Sequence, residues 1–186
     1  ARANALASGA PLAPFGYSLN RLKAEGGALT CGEATPQGSP LLALPLNLCW
    51  SASVVAKECP KVADELAKAR VRNPESKLLT ADATYIALHL IYEKRRGAEA
   101  PAHRRQHIAL MPSPFSTMLA WTDRDMDALR GSRWQEVAKA RKSQVAKDFA
   151  LLRNELGPDI ADDLGLTESE YFWARLVLQE LGLSFK

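Results

Sequence analysis

Two of the three histidines, His103 and His107, stand four apart in a stretch that reads as a helix, so both rings fall on one face. Four-residue spacing can chelate a metal, but a zinc-peptidase helix needs Glu directly after its first His to act as base. Arg104 and Arg105 fill the turn instead, and two cations repel a divalent ion. The face reads as a solvated basic surface suited to an acidic partner, and no metal is expected. Asp123, Asp125 and Asp127 alternate with Arg124 and Met126 in the manner of a calcium loop. An EF-hand wants Gly at its sixth position and Glu at its twelfth, where this chain has Ala128 and Trp134. These aspartates fit better as the acidic first turn of a helix. Cys31, Cys49 and Cys59 are odd in number and lack CxxC spacing, which suits buried thiols rather than zinc or a disulfide framework. No GxSxG elbow or GxxxxGK[ST] phosphate loop occurs, and no Cys has a His nearby in sequence, so no catalytic residue is nominated. The pair Gly26-Gly27 would admit a ligand close to the backbone, and a tight turn explains it equally well.

The elements that must carry these residues are mostly helical. Residues 1–14 offer only Leu6 and Leu12 for burial and are expected to be a flexible segment. Phe15–Ala24 predicts a short helix before Gly26-Gly27. Ala28–Cys31 and Leu41–Leu44 are apolar runs of four between Gly and Pro, and read as short strands joined by a hairpin-like loop. Ser51 caps a first helical turn, and Pro60 opens a helix with Val62, Leu66 and Ala69 on one stripe, ended by Asn73-Pro74. Thr80 is the expected N-cap of the strongest helix, whose apolar face holds Ala83, Ile86, Ala87, Leu90 and Ile91. Lys94, Arg95 and Arg96 followed by Gly97 are its stop signal, and it is expected to be central and nearly surrounded. A short helix from Ala102 ends near Met111-Pro112, and Thr117–Trp121 reads as an extended crossing. Thr122 with Asp125, Ser132 with Gln135, and Thr167 with Glu170 start three more helices. The second is long, with Trp134, Val137, Ala138, Val145, Phe149, Leu152 and Leu156 expected on its buried face.

Composition narrows the partners. The 186 residues suit one domain, or one domain with a sizeable insertion. A formal charge of +3, from 24 cations and 21 anions, is too balanced for a nucleic-acid binder. No apolar run reaches the roughly 18 residues that span a bilayer, so a soluble or peripheral protein is expected. The Ala- and Pro-rich start, free of acidic residues, fits what remains after an organellar transit peptide is removed, or simply the beginning of the stretch at hand.

The order of these pieces resembles SET-domain methyltransferases of the Rubisco large-subunit lysine methyltransferase class. Gly26-Gly27-Ala28-Leu29-Thr30-Cys31 and then Leu41–Pro45 look like the family's opening. Leu88–Gly97 looks like its central helix, and His107–Pro112 is similar to its Tyr-Ile-x-x-Leu-Pro segment. Leu119-Ala120-Trp121 followed by Leu129-Arg130-Gly131-Ser132 matches its Trp … Leu-x-Gly-Ser step, and Tyr171–Ala174 resembles the helix leading back to the SET core. The likeness implies an α+β, predominantly helical fold. Short strands of a partial SET fold would occupy 15–50, and a helical insert 51–186 with a return helix at 168–181. It also implies S-adenosylmethionine contacts at Gly26, Gly27, Ala28 and Leu29 if a complete SET domain exists.

Two departures point away from catalysis. Ala28 stands where the family has its second glycine, and Glu180-Leu181 where it has Ser-Arg. The family's Asn-His cofactor motif and tyrosine-lined lysine channel have no counterpart up to Lys186. The sequence as it stands is therefore expected to be inactive and to bind no cofactor. The leading expectation is a non-catalytic SET-like binding or structural subunit of a larger assembly, organellar and plastid before mitochondrial. The alternative is a fragment of an S-adenosylmethionine-dependent protein-lysine methyltransferase. Arg104, Arg105 and Trp121 are the expected partner-binding residues, being of types enriched at interface hot spots.

Overall fold

The computed structural model describes residues 22–25, 28–31, 34, 36–37, 48–111, 115 and 117–181. The chain divides into two units, 1–49 and 50–186. In the first, strands β1 (Leu22–Glu25) and β2 (Ala28–Cys31) pair antiparallel, with Leu22 opposite Cys31 and Glu25 opposite Ala28. The only residues between the paired ends are Gly26 and Gly27, a sequence suited to a two-residue hairpin link. Leu22–Ala24, expected at the end of a helix, is thus strand, and Ala28–Cys31 pairs backwards along the chain. The expected strand at Leu41–Leu44 lies outside the described residues.

The α-helices described in the second unit are α1 (Ala52–Glu58), α2 (Pro60–Arg72), α3 (Lys77–Thr80), α4 (Asp82–Arg96), α5 (Ala102–Ala109), α6 (Asp123–Ala128), α7 (Arg133–Leu156), α8 (Pro158–Leu164) and α9 (Glu168–Leu181). The α+β expectation is overturned, because the packed body is all-α. The β structure among the described residues is one pair of four-residue strands, too little to form a sheet that buries a core.

Helix α4 is central, as its sequence predicts, and packs against α1, α2, α3, α5, α8 and α9. Ala87, Leu88, Leu90 and Ile91 are all but inaccessible, and Val62, Leu66 and Ala69 meet them from α2 with no exposure. Leu152 and Leu156 of α7, and Tyr171, Ala174 and Val177 of α9, complete the same core. Helix ends follow the sequence signals closely. Ser51 accepts from the Val54 amide, Pro60 opens α2, and Thr122 with Asp125 forms a reciprocal capping box. Gly97 closes α4 at φ 53°, a conformation that a side chain would strain.

Three local expectations change. Thr80 does not cap α4; it ends α3, its hydroxyl donating to the Lys77 carbonyl at 3.1 Å, and Ala81 takes the N-cap position. The buried Thr84 joins the two helices by donating to the Leu78 carbonyl at 2.7 Å. The crossing before Trp121 is a turn, with the Ala120 amide bonded to the Thr117 carbonyl at 2.9 Å. Trp134 is 59% exposed, and Gln135 is buried in its place. Gln135 Nε2 donates to the Met126 carbonyl at 3.0 Å, and its Oε1 accepts from the Gly131 amide at 3.4 Å. These bonds turn position 135 towards α6, and the preceding residue, about 100° away around the helix, faces water.

Among the described residues no helix is long and apolar enough to cross a membrane. Leu88→Ala, at a site with no exposure in the central helix, should cost about 2–5 kcal/mol of unfolding free energy in urea titrations. Val71→Ser, at a residue 81% exposed, should stay within about 0.5 kcal/mol of wild type in the same assay.

Candidate functional site

The densest gathering of polar chemistry in the helical unit surrounds Trp50, where α1, α4 and α5 meet. The indole Nε1 donates to His107 Nδ1 at 2.7 Å. The Arg104 guanidinium lies over the indole ring, 4.4 Å from its centroid, and His89 meets it edge-on at 5.0 Å. Arg104 has no exposure and pairs with Glu58, its Nε and one terminal nitrogen donating to Glu58 Oε2 at 3.1 and 2.7 Å. On α4, Glu93 Oε1 lies 3.5 Å from His89 Nε2, one turn back, and accepts from Arg96 at 3.1 Å. His89 and Glu93 are 0% and 2% exposed.

Burial first, then the nearby positive charges of Arg104 and Arg96, pulls His89 down to about 4, against the opposing pull of Glu58. His107 is lowered too, by desolvation and then by Arg104 and His103. Both rings are therefore neutral at pH 7. Neutral His107 can accept the indole proton, whereas a proton on Nδ1 would set donor against donor. The thiol of Cys59, 2% exposed, is pushed up mainly by burial, which makes it a poor nucleophile. An acid–base pair with this little access has no route to a substrate. Its chemical effect is cohesion: it fixes three helices through one indole ring.

The expected site residues are scattered. Gly26 and Gly27 lie outside the described residues, and Ala28 and Leu29 are in β2. Arg104 is interior, which corrects its reading as a solvated partner-binding residue. The reason is Glu58, 46 residues earlier, which supplies the countercharge that burial requires. Arg105 is exposed and donates to the Ala98 carbonyl at 2.6 Å. Trp121 is half-buried on a separate segment, its carbonyl accepting from Lys142. His103 and His107 do not gather further ligands: among the described residues no group of three or more His, Cys, Asp or Glu could hold a metal ion.

Sequence reading missed Trp50, Glu58, His89 and Glu93 as a set. The available signal was His89 and Glu93, one turn apart on an otherwise apolar helix face. No family model, curated protein or solved structure matches the chain.

Because His89 titrates near 4 in the folded chain and near 6.5 when unfolded, the unfolded state binds the extra proton between those values. Its contribution is complete above pH 6.5 and is lost as pH falls towards 4, by about 3 kcal/mol in all. Denaturant melts of wild type and His89→Gln at pH 7 and 4.5 should show the shallower fall in the variant. Equal slopes would place the acid sensitivity elsewhere.

Proposed function

We propose that the chain is a non-catalytic protein-binding subunit whose helical unit corresponds to the helical insert of SET-domain lysine methyltransferases. The observation that carries this reading is Trp134, 59% exposed at the head of an α7 stripe that otherwise runs into the core. Tryptophan is a residue type that interfaces use as an anchor, and an exposed one loses water at little conformational cost when a partner covers it. Exposed Arg105 and half-buried Trp121 stay among the candidate contacts; Arg104 leaves that set, since it already serves the interior. The partner is a protein rather than nucleic acid, in keeping with a charge of only +3. The larger assembly is taken to be organellar, plastid before mitochondrial, on the strength of the family resemblance alone.

The competing reading, a piece of an S-adenosylmethionine-dependent lysine methyltransferase, draws on the order of the sequence words and on the Gly26–Leu29 turn. Calorimetric titration of S-adenosylmethionine onto the purified chain separates the two. No heat of binding up to millimolar cofactor is expected, and micromolar affinity would overturn the non-catalytic reading. Trp134→Ala should leave the thermal midpoint essentially unchanged, because the side chain is out in solvent.

A further inference from the structure

A groove of about 460 Å³ runs between α7 and α9, with Leu119, Val145 and Leu178 among the side chains that line it. Arg141, Arg175 and Asp148 line it as well. Asp148 already accepts a hydrogen bond from Gln144 Nε2 at 2.8 Å. Neither arginine has an ion-pair partner among the described residues. The groove thus combines apolar side chains with two cations that lack an ion pair, of which Arg175 also acts on the Tyr171 hydroxyl, and one carboxylate that is partly satisfied.

Its position on α7 connects it to Trp134. Residues 134, 141, 145 and 148 are spaced at 7, 11 and 14 from the first, and so fall within about 60° of one another around the helix. Trp134 and Arg141 are about 10 Å apart along the axis, two turns. A single extended or helical segment laid along α7 would cover both the indole and the groove. Matching this surface takes apolar side chains in register with carboxylates, since a basic segment would meet Arg141 and Arg175 with like charge. Nucleic acid fits poorly, because Asp148 lies where a phosphate would have to run.

We infer that Trp134 and the α7–α9 groove together bind an acidic amphipathic segment of a partner protein, with apolar side chains on Trp134 and the partly exposed Leu178 and carboxylates on Arg141 and Arg175. This rests on the protein-binding reading above and adds the chemistry of the partner.

Two fluorescein-labelled helical peptides test it, identical on a Leu/Ala face and carrying either Glu or Lys on the other. Each is titrated by anisotropy with the full chain as wild type, as R141E/R175E and as Trp134→Ala, all checked for folding by circular dichroism. The acidic peptide should bind at least about tenfold more tightly than the basic one. The double reversal should invert that preference, and Trp134→Ala should weaken the acidic peptide. Equal binding of the two peptides, or a preference that survives the reversal, would overturn the inference. Equal binding that Trp134→Ala still weakens overturns the acidic partner yet leaves a protein-binding surface standing, so the two readings fail separately. Light scattering supplies the remaining arm: a wild-type dimer dissolved by the same reversal would assign the groove to a second copy and also overturn it.

Discussion

Helix α4 is enclosed on most of its circumference, and that enclosure carries His89 and Glu93 into the interior with Leu88, Leu90 and Ile91. A neutral imidazole and a carboxylate in such a place must be matched, because an unmatched buried charge costs several kcal/mol. The surrounding helices meet that demand in part: Arg96 matches Glu93 Oε1, whereas both ring nitrogens of His89 and the Oε2 of Glu93 have no hydrogen-bond partner among the described residues. Arg96 reaches back one turn to Glu93, and Trp50 sets its ring edge-on to His89. Arg104 covers the indole and brings Glu58 with it. Side chains from α1, α4 and α5 therefore depend on one another. Such networks gain from the low local dielectric only while every member stays in place.

Local signals were legible where their cause was local. The cations of Lys94–Arg96 followed by Gly97, the proline at position 60, and the Thr122–Asp125 box each act within one helical turn, and each falls where the sequence places it. What could not be read was decided by residues far apart in sequence. Arg104 looked solvent-bound beside Arg105, and only Glu58 makes its burial affordable. Trp134 belonged to an apolar stripe, but Gln135 finds the Met126 carbonyl and so fixes which side of the first turn faces in. The candidate site changed for the same reason: the aromatic expected inside stands outside, and the cation expected outside is buried. The α+β class failed because short apolar runs between glycines and prolines say nothing about how many strands will meet.

The resemblance to SET-domain proteins can be weighed against what its words do in this fold. Leu129-Arg130-Gly131-Ser132 is a helix ending and a helix beginning: Gly131 takes φ 81°, and Ser132 accepts from the Gln135 amide. Leu88–Gly97 is the buried half of α4 with its stop signal, and Tyr171–Ala174 is a core-facing turn of α9. These three words have a structural reason at their own positions.

The chain's reactive groups and its exposed groups divide in a way that bears on function. Burial pushes the Tyr171 hydroxyl up to about 12, raises the Cys59 thiol and lowers His89, so each is held in its neutral form at pH 7. General acid–base and nucleophilic work both need a group poised near the working pH and within reach of a substrate. These groups have neither property. Trp134 and Arg141 of α7 are exposed, and Arg175 of α9 is partly so. Such groups gain most when another protein removes them from solvent, because the indole contributes area and the arginines contribute direction. Arg104 with Glu58, and Gln135 with the Met126 carbonyl, thus join one helix to another.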